Sequence, residues 1–382
     1  MKLAADWLHH GGTVKLCQAL EHAGHQALFV GGCVRNGLIG AEVHDIDIAT
    51  DARPEAVIEI SQAAGLRAVP TGIEHGTITV IADGKPLEVT TFRRDIETNG
   101  RHAVVAFADS IEEDANRRDF TMNALYAQAD GRVLDPTGQG LADLDARHLR
   151  FIGSAKDRIR EDYLRILRFF RFHAWYADPQ GGFDPEGLAA CAALSSGIET
   201  LSRERVGGEI KKLLTAPDPA PAIAAMEQSG VLAQTLPGAT ARLLPILVYL
   251  EQGLTADPIR RLAAISGSEG ATALRLSKAE FKRLTTLRDG MESTTAAGEL
   301  GYLNGFELAR DILLLRAAQF ETELDPQSVT LAQAGSEARF PIRSVDVDPK
   351  FTGPALGAEL KRLEQLWIAS GFTLTKADLL SR

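Results

Sequence analysis

The sequence predicts an α+β protein: a small mixed-sheet head, then helices to the end of the chain. Three observations carry this. Strand and hairpin signals, such as the run Thr77-Ile78-Thr79-Val80-Ile81, fall before residue 93. From residue 155 onward, apolar residues recur at helical spacing. Residues 27–50, ALFVGGCVRNGLIGAEVHDIDIAT, read as strand, glycine turn, short helix and second strand.

Residues 13–26 have a helical period, with Leu16, Leu20 and Ala23 on one side and Gly24 at the end. Ala27 to Val30 is a short strand, and Gly31-Gly32 removes two Cβ atoms where the backbone turns. Asp45 and Asp47 stand two apart, so on a strand both carboxylates leave one face. Pro54 opens a helix over 54–64. Residues 77–81 and 87–92 form a hairpin across Asp83-Gly84, with Glu88, Thr90 and Phe92 on one face. Residues 93–110 are polar, charged and glycine-containing, as expected of a loop. Asp114 caps a helix beginning near Arg117, and one helix spans about 155–174. Further helices are expected at 201–214, 220–234, 240–253, 257–266, 270–289, 305–319 and 355–369, with 325–351 irregular. Trp367 on the last helix reads as core.

At 382 residues the chain has room for two to four domains. Its 45% hydrophobic and 24% charged content is that of a globular protein, and no apolar run approaches the ~20 residues of a membrane span. The first residues lack the apolar core of a signal peptide, and Cys17, Cys33 and Cys191 are odd in number and widely spaced. A reducing, cytoplasmic setting is expected. The net charge of −10 argues against a protein that coats nucleic acid indiscriminately. Charge is nevertheless uneven: residues 147–171 carry eight basic side chains against three acidic ones. All nine histidines lie at or before His173, so the carboxy-terminal half cannot hold a histidine-based metal phosphohydrolase.

Two carboxylates as close as Asp45 and Asp47 repel unless a cation lies between them. Mg²⁺ suits such a pair, because it takes one or two carboxylates plus substrate phosphates. Glycines, Arg35 and a metal dyad together suggest nucleoside triphosphate chemistry; a solvated strand edge is the plain alternative. If the strand at 87–92 neighbours the dyad strand, Glu88 faces the metals as a third carboxylate; otherwise it is a surface residue. In the segment DANRRDFTMNAL, Arg118, Asp119 and Asn123 would project toward the site, with arginine suited to phosphate by its planar fork. The segment Glu161-Asp162-Tyr163-Leu164-Arg165, followed by Arg168 and Arg171, reads either as a helix-surface salt bridge or as a base reader. Cytosine and adenine each offer an amino donor beside a ring-nitrogen acceptor, whereas uracil and guanine offer the reverse. A fixed aspartate and arginine satisfy C and A and leave buried groups unpaired against U and G.

Taken together, GGCVRN at 31–36, DIDIAT at 45–50, RRDFTMNA at 117–124, EDYLR at 161–165 and Arg205-x-x-x-Glu209 resemble the tRNA nucleotidyltransferase/poly(A) polymerase family, and within it the bacterial class II CCA-adding enzymes. Asn36 stands where that family usually has aspartate. The segment GPALGAEL from residue 353 resembles the family's tail. The resemblance implies a polymerase β-like nucleotidyltransferase head over 1–150, a helical neck that recognises the base over 151–215, and an RNA-binding body and tail over 216–382. It implies a mobile loop within 93–110 that helps add the terminal A. It implies that Asp45 and Asp47 hold Mg²⁺, and that Gly32, Arg35 and Arg118 meet the triphosphate with Gly31 beside them. Asp162 and Arg165 would read the base, with Arg168 and Arg171 in support. Glu161, Asp119, Asn123 and Glu88 are supporting residues, and Glu209 would brace the arginines. The implied substrates are the tRNA 3′ end, CTP and ATP, with neither membrane nor DNA as a partner. A poly(A) polymerase, or an enzyme adding only CC or only A, shares every motif. The acidic composition and lack of a long basic extension favour tRNA. A non-catalytic RNA-binding protein is the alternative of a different class, and the intact Asp45, Asp47 and Arg118 argue against it. A dinucleotide-binding module fits poorly, because GGCVRNG lacks the GxGxxG spacing.

Overall fold

The computed structural model describes residues 1–97, 104–266 and 272–381. They fall into two compact units. The first is Met1–Glu209 with Gln228–Gln234, and the second is Ile210–Glu227 with Thr235–Arg382.

The first unit holds a seven-stranded mixed sheet. In chain order its strands are β1 (Leu28–Val30), β2 (Asp47–Thr50), β3 (Arg67–Gly72), β4 (Thr77–Ala82) and β5 (Lys85–Thr91), then β8 (Tyr126–Ala127) and β9 (Val133–Leu134). The spatial order is β3-β4-β5-β2-β1-β8-β9. β2 and β5 run parallel, and the other neighbours are antiparallel. Helix α1 (Gly11–His22) buries Leu16 and Leu20, and α3 (Pro54–Ala63) follows Pro54 as expected. The β4–β5 turn has Asp83 and Gly84 both at positive φ, 50° and 76°, which is the type I′ geometry of a two-residue hairpin.

Several expectations are corrected. β2 begins at Asp47, so Asp45 precedes the strand. Leu87, Val89 and Thr91 are the buried face of β5. Phe92 lies beyond the strand end, where its amide donates to Thr50 and its ring joins the core with Leu28, Val30 and Tyr126. The segment 93–110 is not all loop: β6 (Arg93–Glu97) and β7 (Val104–Phe107) pair antiparallel. The expected mobile loop falls partly on 98–103, outside the described residues.

No helix starts near Arg117. Instead α4 (Ile111–Asn116) ends there, and Phe120 is extended and bridges to Phe151 before a short turn at Thr121–Asn123. The Asp119 carboxylate accepts from the Phe120 amide at 2.8 Å, which competes with helix formation. After α5 (Gly140–Asp145), the long helix expected at 155–174 is two: α6 (Ala155–Glu161) and α7 (Leu164–Tyr176). Asp162 is extended between them, and its carboxylate accepts from the Leu164 amide at 3.1 Å. α8 (Pro185–Ala193) and α9 (Arg203–Leu214) follow.

Beyond α9 the chain is helical. The helix expected over 220–234 is broken into Ala220–Gln228 and Val231–Thr235 by Gly230 at φ 77°. That expected over 240–253 is shorter, Leu244–Leu250, and the one expected from 270 runs Lys278–Glu292 behind a Ser277 capping box. The region taken as irregular contains a twelve-residue helix, Pro326–Glu337, capped by Asp325. In the second unit Arg260 and Arg261 are buried, although an amphipathic helix places such residues outside. Both pair with Glu251, Arg260 also pairs with Asp311, and Arg261 donates to the carbonyls of Leu214 and Ala216. Trp367 is buried with Tyr302, Phe340 and Phe372, as its reading as core requires. No helix among the described residues is long and apolar enough to cross a membrane.

Two helices of the second unit, Ala297–Asn304 and Pro326–Glu337, touch through backbone. A Cβ added at Gly301 would collide with the Ala332 carbonyl, and one at Gly335 with the Gly298 carbonyl. Gly335→Ala is therefore expected to force the helices apart and destabilise this unit by about 1–3 kcal/mol or more. Thermal unfolding of wild type and variant checks this; equal melting temperatures would refute it.

Candidate active site

β1 ends at Val30 and is followed by Gly31, whose φ of 72° and ψ of −121° suit glycine alone. The chain then enters α2 (Gly32–Ile39), and no side chain caps its first turn. The amides there have no intrahelical acceptor and are available to an anion. A Cβ at Gly31 would lie 3.5 Å from Arg118 Nη1. Cys33 ties α2 to the sheet, its thiol donating to the carbonyls of Val30 (3.4 Å) and Asp47 (3.8 Å). Burial pushes that thiol up to about 11, so it is not a nucleophile at neutral pH.

The carboxylates lie at the start of β2. Asp45 is exposed and Asp47 half-buried. Pairing of β2 with β5 sets Asp47 opposite Glu88, and the Glu88 amide donates to the Ile46 carbonyl at 3.2 Å. Burial and then the Glu88 charge push the Asp47 carboxyl up to about 6; Arg118 opposes this and Asp45 adds to it. The repulsion marks a place short of positive charge, which a divalent cation would relieve. No cluster of three or more His, Cys, Asp or Glu side chains suited to a metal occurs among the described residues. Glu88 thus acts on Asp47 across the ladder without closing a three-ligand cage. A two-carboxylate donor set fits Mg²⁺, which completes its shell with water and phosphate oxygens.

Arg118 is fixed from behind. Asp114, 1% exposed, accepts from Arg117, Arg118 and the Tyr126 hydroxyl. Burial alone would raise the Asp114 carboxyl, but the charges of Arg118 and Arg117 and the Tyr126 hydroxyl hold it well below the usual range. Arg118 Nη1 has no protein acceptor among the described residues, and it is this nitrogen that faces the Gly31 turn.

Arg35, 5% exposed, donates Nε and Nη2 to Asn36 Oδ1 (3.1 and 2.8 Å) and Nη1 to Asn123 Oδ1. Its guanidinium lies over Tyr176 at 3.8 Å and Phe172 at 5.1 Å. Burial pulls its pKa below the ordinary value. Asn123 donates to Asp119, which accepts from Arg168 Nε at 2.8 Å and from its Nη2. Burial would raise the Asp119 carboxyl, but the Arg168 charge and the Asn123 bond bring it down to about 2.

The other charged side chains on and around α7 have their own partners. Asp162 accepts from Arg205 at 2.6 Å, Glu161 from Arg158 and Arg165, and Glu209 from Arg171 at 2.6 Å. Arg165 also donates to the carbonyls of Arg158 and Arg117. The Asp162 and Arg165 side chains are thus each oriented by a counter-charge and are not bonded to one another, although the Arg165 amide donates to the Asp162 carbonyl at 3.0 Å.

The family described as "Poly A polymerase head domain" matches residues 27–150, and that described as "Probable RNA and SrmB- binding site of polymerase A" matches 182–243. The mitochondrial CCA tRNA nucleotidyltransferase 1 of Mus musculus is 33% identical over 392 residues, covering 97% of this chain and 89% of the mouse protein. The chain belongs to the CCA tRNA nucleotidyltransferase family. A CCA-adding enzyme of Bacillus cytotoxicus is 42% identical over 53% of this chain and 49% of its own length. The Bacillus stearothermophilus CCA-adding enzyme, solved in complex with CTP, superposes with a TM-score of 0.77 at 27% identity, covering 94% of this chain and 92% of that one. The Thermotoga maritima enzyme shares the fold, with a TM-score of 0.70 at 16% identity.

Within this CCA tRNA nucleotidyltransferase fold, sequence reasoning missed three residues. Asp114 reads as a cap but is the buried anchor of two arginines. Tyr126 is an unremarkable strand residue until its hydroxyl meets Asp114. Tyr176 stacks on Arg35 from a helix far along the chain, and no local pattern announces that pairing.

The Asp119 carboxyl also sets a pH dependence. Its folded pKa of about 2 lies below its ordinary 3.8, so it contributes stability above pH 3.8 that is lost as pH falls through 2. Asp119→Asn is expected to cost about 2 kcal/mol at pH 7, with the gap to wild type narrowing between pH 4 and 2. Urea unfolding across that range measures the gap; a gap that widens toward acid would contradict the pairing.

Proposed function

We infer that the protein adds C, C and A to the 3′ end of tRNA from CTP and ATP without a nucleic-acid template. One observation carries the reading: a compact unit combines the Asp45–Asp47 pair, the Gly31 turn facing Arg118, and the arginine-rich helix α7. Family membership along almost the whole chain supports it. We assign 1–150 as the catalytic head, 151–215 as the base-reading neck and 216–382 as the RNA-binding body and tail.

In the reaction, the tRNA 3′-hydroxyl oxygen bonds to the α-phosphorus of the nucleotide, and pyrophosphate leaves. Asp45 and Asp47 would hold Mg²⁺, which when bound stabilises the charge developing on the phosphates. The Gly31–Gly32 turn admits the triphosphate to the first amides of α2. Arg118 offers Nη1 from a guanidinium locked by Asp114 and Tyr126, so little reorganisation is needed on binding. Arg35 adds a second positive charge beside Gly32. Asp162 supplies an acceptor and Arg165 a donor for the amino and ring-nitrogen groups shared by cytosine and adenine. Among the described residues, three of the five Arg165 donors bind Glu161, Arg158 and Arg117, which leaves two for a base. Arg168, Arg171, Glu161, Asn123, Asp119 and Glu209 hold these groups in place. Three buried free thiols suit a reducing compartment such as the cytoplasm.

Purified protein with Mg²⁺ and tRNA transcripts ending before CCA, after C and after CC should add the missing nucleotides and stop. Chelation should abolish addition, and Asp47→Asn should slow it by about a thousandfold or more. A long A tract on any RNA would replace this reading with a poly(A) polymerase. Addition of CC alone or A alone would mark a partial enzyme, and RNA binding without addition would sink the catalytic reading.

A further inference from the structure

The arginines around the site are not alike in how they are neutralised. Arg118 has Asp114, Arg165 has Glu161, Arg168 has Asp119, Arg171 has Glu209, and Arg205 has Asp162. Arg35 is the exception. It is buried, yet among the described residues no carboxylate pairs with it. Its acceptors are the neutral amide oxygens of Asn36 and Asn123. Asp119, the acidic side chain nearest in the network, already accepts from Arg168, Asn123 and the Phe120 amide. What covers the guanidinium is the ring of Tyr176 at 3.8 Å, with Phe172 behind it at 5.1 Å.

An aromatic face and a carboxylate hold a guanidinium differently. A carboxylate cancels the charge, whereas a ring attracts it through its quadrupole and leaves the net charge in place. A buried cation without a counter-ion is unfavourable, so the site is built to receive an anion from outside. Arg35 Nη2 lies 3.9 Å from where a Gly32 Cβ would be, at the opening of α2, and two of its five donors have no acceptor among the described residues.

We propose that Tyr176 is a positioning residue, whose ring holds Arg35 in place without neutralising it, so that the triphosphate of the incoming nucleotide is the counter-ion of Arg35. The proposal rests on the nucleotide-binding assignment made above and adds to it the residue that sets Arg35's charge and orientation. Because the triphosphate is common to CTP and ATP, loss of the ring should affect both nucleotides equally and should spare recognition of the base.

Calorimetric titration of the whole protein with inorganic triphosphate, CTP, ATP and cytidine tests this. Tyr176→Leu should weaken triphosphate, CTP and ATP binding by a common factor of about tenfold and leave cytidine binding unchanged. Tyr176→Phe, which keeps the ring, should restore the affinities. If Tyr176→Leu does not fold, Tyr176→Met, which approximates the volume without a ring, serves in its place. Wild-type affinity for triphosphate in the ring-less variants would overturn the proposal. So would equal weakening of cytidine and triphosphate, the mark of a merely structural role, or unequal effects on CTP and ATP. Failure of the functional reading looks different: wild type would then bind triphosphate in this pattern yet extend no tRNA.

Discussion

One oxygen of the Asp119 carboxylate accepts from Arg168 on α7, and the other accepts from Asn123, whose amide oxygen in turn takes Arg35 on α2. That bridge joins the helix behind the glycine turn to the helix that carries the arginines. Each member is held by the next, and in a buried setting the bonds strengthen one another while an orphaned member becomes costly. Asp119 is a single negative charge between two positive ones, so the chain of contacts is left short of one anion. The dyad at Asp45 and Asp47 is short of a cation. On the proposed reading, the two deficits, on neighbouring elements of one unit, are what a nucleotide triphosphate carrying its metal would fill.

Much of this was legible in residue types. Gly31-Gly32, Asp45 and Asp47, Arg118, and Asp162 with Arg165 each belong to short patterns whose chemistry is readable without coordinates. Backbone form was harder where side chains compete for backbone amides. Asp119 and Asp162 both accept from amides one or two residues ahead, and at both places a helix expected from apolar spacing is replaced by extended chain. Non-local relations were harder still. That Glu88 sits opposite Asp47 depends on a parallel pairing between strands separated by two other elements of the sheet's order in sequence, which alternation alone does not specify. That Tyr176 covers Arg35 depends on how α7 meets α2, and neither segment carries a sign of it.

The second unit shows the same limit in another form. Polar residues on an amphipathic pattern are ordinarily assigned to the surface, yet Arg260 and Arg261 are buried among Glu251, Asp311 and main-chain carbonyls. Such a cluster tolerates change poorly, since deleting one member leaves the others charged and unpaired in the interior. It also selects which helices meet, because an apolar neighbour would strand the charges.

The contact between Ala297–Asn304 and Pro326–Glu337 works on a different basis. Most helix pairs are joined by long side chains, and each side chain so fixed gives up rotamer freedom when the chain folds. Gly298, Gly301, Ala332 and Gly335 have no such freedom to give up. Their junction gains close dispersion contact with almost no side-chain entropy lost, although the glycines make the unfolded chain more flexible. Its stability therefore leans on backbone order more than on side chains: heating has few rotamers to set loose at the glycines, and the two helices stay together until one of them unwinds.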